Sequence, residues 1–281
     1  MRTLVTGLGG FTGRYLLAEM AASGHEVVGL RADLMDIDAL NEELRRVRPE
    51  WIVHLAGIAF VGHGAPNDFY RVNLMGTRNL LEAAAASGSR PRAVLLASSA
   101  NVYGNRSEGA LSEVARPDPP NDYAVSKLAM EYMAGLWMER LPLIVVRPFN
   151  YTGVGQSEAF LLPKIVAHFR RRDRRIELGN LDVWRDFSDV RAVVRAYRRL
   201  LEAGVAGVTL NVCSGSAHSI REILQIAGNF AGYDIDVCVN PAFVRSNEVK
   251  VLQGDSSRLL ALIGDWKNPP IEETIGWMLS S

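Results

Sequence analysis

The sequence predicts an α/β fold on a doubly wound parallel sheet, followed by a smaller C-terminal lobe. Three observations carry that expectation. Short apolar runs alternate with longer segments of helical character, and a glycine-rich turn joins the first run to the first such segment. After residue 150 the alternation loosens, and Pro, Gly and charged residues become frequent. Strands that alternate with helices imply a parallel sheet covered on both faces, whose strands are apolar throughout.

Along the chain, 2–6 (RTLVT) and 26–30 (EVVGL) read as the first two strands, separated by a helix over 14–20. A helix at 37–47 leads to the strand 51–55 (WIVHL), and a long helical segment, 67–87, leads to 93–97 (AVLLA). A second long segment, 122–140, precedes 143–146 (LIVV), and a helix over 188–203 precedes 208–212 (VTLNV). These runs are too short for helices and rich in aliphatic residues, as buried strands are. Residues 1–150 with 186–212 are expected to form the main, dinucleotide-binding unit, and 151–185 with 213–281 the smaller lobe.

Bulk properties exclude several classes. Among 281 residues, 31 Lys and Arg balance 31 Asp and Glu, which argues against binding nucleic acid or an anionic membrane. No apolar run reaches the roughly 20 residues that span a bilayer. The opening Met-Arg-Thr-Leu-Val-Thr-Gly runs straight into a strand and turn, so no secretory leader is expected and the cytoplasm is the expected compartment. Cys213 and Cys238 supply no disulfide framework and are expected as buried small apolar residues. No cluster has metal-ligand spacing. The Arg-rich stretch 169–175 reads as a solvated helix end.

The turn Thr6-Gly-Leu-Gly-Gly-Phe-Thr-Gly13 sits between the first strand and the first helix. Gly7, Gly10 and Gly13 have the spacing G-x-x-G-x-x-G. Glycine there permits a tight turn, close approach of backbone to a pyrophosphate, and close helix–strand contact. The helix N-terminus then offers free N–H groups to the phosphates. This is the pattern of a Rossmann-type dinucleotide site. The second strand ends at Arg31, a position where an acid binds the adenosine ribose and an Arg favours the extra phosphate of NADP. Arg31 therefore favours NADPH, while Asp33 close by could hold the ribose instead and leaves NADH open.

Tyr123 and Lys127 lie four residues apart, on one face of a helix. A free tyrosine, with a pKa of roughly 10, is a poor acid–base group near neutrality. Moving it to pH 7 takes about 3 units, or about 4 kcal/mol. One cation about 4 Å away, at an effective dielectric near 20, supplies roughly that amount. Lys127 could be that cation, although a Y-x-x-x-K pair alone also recurs by chance on exposed helices.

Taken together, the motifs resemble the extended short-chain dehydrogenase/reductases that act on nucleotide sugars. The resemblance spans essentially the whole chain. It rests on Thr6-Gly-x-x-Gly-x-x-Gly13, Asp33-Leu-Met-Asp36, His54-Leu-Ala-Gly57, Asn73-x-x-Gly-Thr77, Ser98-Ser-Ala-Asn-Val-Tyr-Gly104, Tyr123-Ala-Val-Ser-Lys127, Arg147-Pro-Phe-Asn150, Arg185-Asp-Phe-Ser-Asp-Val190 and Asn211-Val-Cys-Ser-Gly215. The stretches 179–187 and 210–223 look most like the branch that reduces GDP-4-keto-6-deoxy-D-mannose. The resemblance implies Ser99, Tyr123 and Lys127 as the catalytic residues, with Tyr123 giving a proton to the ketone oxygen, Lys127 lowering the Tyr123 pKa, and Ser99 hydrogen-bonding that oxygen. It implies a cofactor site of Gly7, Gly10, Phe11, Thr12, Gly13, Arg31, Asp33, Leu34, Leu55, Ala56, Gly57, Tyr123, Lys127 and Pro148, holding NADPH or NADH. For the sugar diphosphate and nucleoside it implies Ser99, Asn150, Arg185, Arg245 and Glu248.

Position 101 discriminates within the family. The 4,6-dehydratases carry a catalytic Glu there and the GDP-fucose synthases a Cys that helps epimerise the sugar. Asn101 supplies neither a carboxylate nor a thiolate, which leaves ketone reduction. Rival readings are a UDP-sugar 4-epimerase, a dTDP-4-ketorhamnose reductase, and a nucleotide sensor without catalysis. The resemblance also implies a homodimer through helices 67–87 and 122–140.

Overall fold

The fold is described from a computed structural model, for residues 1–59, 65–104, 109–244 and 249–281. In chain order the first half contains β1 (Arg2–Thr6), α1 (Phe11–Ala22), β2 (Glu26–Gly29), α2 (Ile37–Val47), β3 (Trp51–His54), α3 (Pro66–Phe69), α4 (Thr77–Ala86), β4 (Ala93–Ala97), α5 (Asp122–Gly135) and β5 (Leu143–Pro148). The second half contains β6 (Asn150–Thr152), α6 (Leu161–Arg170), β7 (Arg175–Leu178), β8 (Trp184–Asp189), α7 (Val190–Ala203), β9 (Val208–Val212), β10 (Ala217–Ser219), α8 (Ile220–Ala231), β11 (Asp236–Val239), β12 (Val251–Leu252), α9 (Ser257–Ile263) and α10 (Ile271–Ser280).

Six parallel strands form the main sheet in the order β2-β1-β3-β4-β5-β9. The strands are apolar on both faces because each face is covered. Val5, Val53, Leu95 and Ile144 pack with Leu16, Val193 and Tyr197 under α1 and α7. Leu4, Ile52, Val94 and Leu96 pack with Leu40, Leu44, Leu81 and Met130 under α2, α4 and α5. The chain reverses its winding between β1 and β3, which opens a crevice at the strands' C-terminal ends, where α/β folds place ligands. A second sheet, with β8 at its centre, joins β6, β10 and β12. Leu162, Ile165, Phe169, Ile223 and Ile275 form a separate core beneath it.

The predicted helix 67–87 is interrupted. Between α3 and α4 the chain makes a π-helical turn, Tyr70–Gly76, which buries Asn73 and Gly76. An extra residue in a turn shifts the helical phase, and such turns concentrate at functional sites. The helix expected to reach residue 140 ends at Gly135, and tighter turns continue to Arg140. Cys213 is buried as expected, but Cys238 is half-buried in β11, one strand of a two-stranded edge sheet.

Candidate active site

The phosphate turn is built as the glycine spacing requires. Gly7 has φ +70°, and a side-chain carbon there would lie 2.8 Å from the Ala56 amide nitrogen. A side chain at Gly13 would collide with the Leu8 carbonyl. Helix α1 begins at Phe11 directly after Gly10, with no side chain capping its first N–H groups. A cradle that any Cβ would fill, ending on an uncapped helix N-terminus, fits a dinucleotide pyrophosphate. Thr12 Oγ1 lies 2.8 Å from Tyr151 Oη, and the Phe11 and Tyr151 rings are stacked 6.2 Å apart. These contacts fix the turn against the chain leaving β5. Leu55, Ala56 and Gly57 follow β3 beside it, and Pro148 ends β5. Asp33 accepts from the Met35 amide at 2.9 Å, and the Leu34 carbonyl accepts from Asn79 at 2.9 Å, so both belong to an ordered turn after β2.

A chain of buried hydrogen bonds joins this turn to α5. The Ala56 amide donates to Thr6 Oγ1 at 3.0 Å, and Thr6 Oγ1 lies 2.7 Å from His54 Nδ1. His54 Nε2 lies 2.9 Å from Thr77 Oγ1, which donates to the Asn73 carbonyl at 2.7 Å. Because the Thr77 hydroxyl proton is used on Asn73, His54 must carry its proton on Nε2 and accept on Nδ1. The Asn73 side chain then bonds the Ile58 backbone and donates to Ser126 Oγ at 3.1 Å, and Ser126 donates to the Tyr123 carbonyl at 2.7 Å. Sequence reasoning had His54 only as the first residue of a motif and missed this network, which depends on the π turn burying Asn73.

Burial, reinforced by the charge on Lys127, pushes the His54 pKa down from 6.5 to about 3. The unfolded chain therefore takes up a proton between pH 6.5 and about 3 that the folded chain refuses, and stability falls as pH falls through that window. The contribution is complete above pH 6.5 and is lost at about 1.4 kcal/mol per pH unit below it. Unfolding free energies from denaturant titration at pH 7.5 and 5.0 should differ by about 2 kcal/mol more in the natural protein than in His54→Gln. Equal pH dependence in the two would contradict the buried neutral imidazole.

Ser99, Tyr123 and Lys127 converge at the C-terminal end of β4. Their exposures are 7%, 6% and 8%. Asn121 caps α5 by accepting from the Ala124 amide, which starts the helix so that Tyr123 and Lys127 both face the crevice. The Ser99 hydroxyl lies close enough to the Tyr123 phenol to favour its ionised form, and the Tyr123 ring packs edge-on against Phe69 at 5.9 Å. Lys127 Nζ donates to the Ala97 carbonyl at 2.9 Å. A side-chain carbon at Gly57 would lie 2.8 Å from Asn73 Oδ1 and 3.3 Å from Lys127 Nζ, so glycine leaves the space the lysine occupies.

The electrostatics differ from the sequence expectation. Burial drives the Tyr123 phenol up to about 12, with the Ser99 hydroxyl opposing, and Lys127 is not among the causes. Lys127 itself is lowered to about 8 by burial, against the pull of Glu131. Burial outweighs the single-cation estimate because both groups are desolvated together.

Behind the three lies a buried ion pair. Glu131, on the same face of α5, pairs with Arg147 of β5 at 2.6 Å, with side-chain exposures of 9% and 8%. Ser98 Oγ donates to Glu131 at 2.5 Å, and Arg147 Nη1 donates to Tyr103 Oη at 3.0 Å. Tyr103 in turn donates to Asn211 Oδ1 at 2.7 Å. The pair thus pins the loop 98–104 to α5, β5 and β9. Asn101, in the short turn 100–103, donates its backbone N–H to Ser99 Oγ at 3.2 Å.

Of the residues expected to hold substrate, Asn150 opens β6 and donates to the Asp186 carbonyl at 3.4 Å. Arg185, in the adjoining strand β8, donates to the Trp184 carbonyl at 2.8 Å. Its neighbour Asp186 is buried and accepts from Ser214 and from the amides of Ser214, Gly215 and Gly254, which holds β8 against the crevice-side loops. Arg245 and Glu248 lie outside the described residues. Among the described residues there is no group of His, Cys, Asp or Glu that could hold a metal ion. No helix among them is long and apolar enough to cross a membrane.

A profile of the "NAD dependent epimerase/dehydratase family" matches residues 3–213. The chain belongs to that family. It is 38% identical over 282 residues to GDP-6-deoxy-D-mannose reductase of Pseudomonas aeruginosa, covering 95% of this chain and 91% of the relative. It is 36% identical over 272 residues to GDP-6-deoxy-D-talose 4-dehydrogenase of Aggregatibacter actinomycetemcomitans, covering 94% and 92%. The structure of RMD from Pseudomonas aeruginosa complexed with NADPH superposes with a TM-score of 0.90 at 37% identity, covering 99% of this chain and 97% of that one. The Rossmann-type fold and the oxidoreductase character of the family member are thereby established together.

Proposed function

We propose that this chain reduces the 4-keto group of GDP-4-keto-6-deoxy-D-mannose with NADPH or NADH, giving GDP-D-rhamnose or its C4 epimer, GDP-6-deoxy-D-talose. The observation that carries the reading is the burial of Ser99, Tyr123 and Lys127 together at the end of β4, in a chain more than a third identical to two enzymes named for these GDP-sugars. When bound, the dinucleotide supplies hydride. The remaining work falls to the chain. Gly7, Gly10 and Gly13 with the first turn of α1, including Phe11 and Thr12, hold the pyrophosphate, while Arg31, Asp33 and Leu34 hold the adenosine end. Leu55, Ala56, Gly57 and Pro148 line the path to the nicotinamide.

Tyr123, kept protonated through neutral pH by its burial, donates its proton to the ketone oxygen. Ser99 donates to the same oxygen as negative charge develops there. Lys127 holds the nicotinamide ribose and offsets the phenolate that remains. Asn150 and Arg185 anchor the sugar diphosphate from the second sheet, with Arg245 and Glu248 assigned to the phosphate and nucleoside ribose by sequence motif.

The smaller lobe is the nucleotide-sugar unit in this reading, the site carries no metal, and the cytoplasm is the compartment. A homodimer through 67–87 and 122–140 is part of it, supported by exposed Met75, Tyr132 and Leu136 on those segments. A sedimentation mass of one chain at micromolar concentration would remove the dimer from the account. The function is tested by following cofactor absorbance with GDP-, UDP- and dTDP-linked 4-keto-6-deoxy sugars. Oxidation with the GDP-sugar above the other two is expected. None with any of them, together with tightly retained NAD in the purified protein, would favour a UDP-sugar 4-epimerase.

A further inference from the structure

Beyond Arg31, a second guanidinium borders the expected adenosine site. A cavity of about 480 Å³ lies along the open edge of β2, lined by Leu8 of the phosphate turn, Val27, Val28, Gly29, Leu30, Arg31 and Arg46. Its floor is apolar. Leu8 fits over β2 because residue 29 is glycine; a side-chain carbon there would lie 2.9 Å from Leu8 Cδ2. Its rim carries two cations from different elements, Arg31 after β2 and Arg46 near the end of α2.

Glu43 ties the two together. Its carboxylate is buried and accepts from the backbone amides of Arg31 at 3.0 Å and Ala32 at 2.7 Å. It also receives Arg46 Nη2 at 3.2 Å. The Arg46 side chain is 63% exposed, and that contact holds its guanidinium near the strand end. Among the described residues the Arg31 guanidinium has no ion-pair partner. Two guanidiniums against one carboxylate leave the rim net positive above an apolar floor, which suits a nucleoside bearing a dianionic phosphate.

We infer that Arg46 acts with Arg31 as a clamp for the 2′-phosphate of NADPH, with Glu43 as the residue that positions both, so that selection between NADPH and NADH is divided between the end of β2 and α2. The inference rests on the cofactor half of the proposed function and is independent of which sugar is reduced.

Binding, not turnover, tests it. Calorimetric titration of the full chain with 2′,5′-ADP and with 5′-ADP, in the absence of any sugar nucleotide, reports on the 2′-phosphate alone. The natural protein should bind 2′,5′-ADP more tightly. Arg46→Ala should weaken 2′,5′-ADP by about tenfold, the scale of one lost charge-assisted contact, and leave 5′-ADP within about twofold. Arg31→Ala should behave alike, the double variant should lose selectivity, and Arg46→Lys should recover part of it. Arg45→Ala, on the same helix but not lining the cavity, should change neither ligand. Arg46 is a surface residue, so the variant keeps its fold. Equal weakening of both ligands, no change in either, or a natural protein that prefers 5′-ADP would each overturn the assignment. A protein that discriminates 2′,5′-ADP but turns over no keto sugar would retire the proposed substrate and leave the clamp standing.

Discussion

Tyr123→Phe is expected to lower kcat by about 10²–10⁴-fold, the range supplied by one positioned proton donor. The substitution removes a single oxygen. The ring keeps its edge-on contact with Phe69, and α5 keeps its cap, so cofactor affinity should stay within about twofold. The residual rate should also lose its sensitivity to Ser99→Ala, because the serine acts on the same oxygen and stabilises the phenolate as the proton leaves. Steady-state rates on both single variants and the double variant check this. A Tyr123→Phe enzyme within tenfold of the natural one would remove the phenol from the chemistry. Since burial holds the phenol near 12, reduction should show no acid-side requirement for Tyr123 and should not fall through its ionisation anywhere near neutrality.

Arg147→Met is expected to have the largest effect on stability, about 3–5 kcal/mol, because it leaves the Glu131 carboxylate buried without its cation. For a chain of this size that is on the order of a 10 °C loss in Tm. The loss follows from desolvation rather than from any special strength of the pair. Removing both charges, as in Arg147→Met with Glu131→Leu, should recover most of it. The recovered double variant should still be impaired in kcat, since Ser98 and Tyr103 lose the partners that fix the loop carrying Ser99. Thermal unfolding of the three variants decides it. A single-variant shift below about 1 kcal/mol would mean the pair is hydrated in solution.

The main sheet was legible because its strands are buried on both faces, so AVLLA and VTLNV read as strands from composition alone. Strand β8 was not. Its sequence, WRDFSD, looks like a loop, yet Asp186, Ser188 and Asp189 are fully buried. Asp186 is satisfied by amides from distant loops and Asp189 by Arg191 and Thr274, partners that sequence order does not reveal. The π turn was equally hidden, since a phase shift of one residue leaves the apolar pattern of 67–87 nearly intact.

The motif residues Ser99, Tyr123 and Lys127 do come together. What spacing could not supply was their environment. A four-residue interval fixes which face a side chain leaves from but not how much water reaches it, and burial reverses the expected direction of the Tyr123 shift. Arg147 was visible only as the first residue of its motif and Glu131 not at all, because their pairing joins α5 to β5 across the core.

The central claim, that hydride passes from the nicotinamide to C4 of a GDP-linked keto sugar, is tested most directly with NADPH carrying deuterium at both positions of nicotinamide C4. With GDP-4-keto-6-deoxy-D-mannose, NMR of the product should show one deuterium at sugar C4 for each NADPH consumed, and the H3–H4 and H4–H5 couplings of product made with unlabelled NADPH would assign the rhamno or talo configuration. Unlabelled product, or turnover without NADPH loss, would contradict the reduction and point to a reaction in which the dinucleotide is never released.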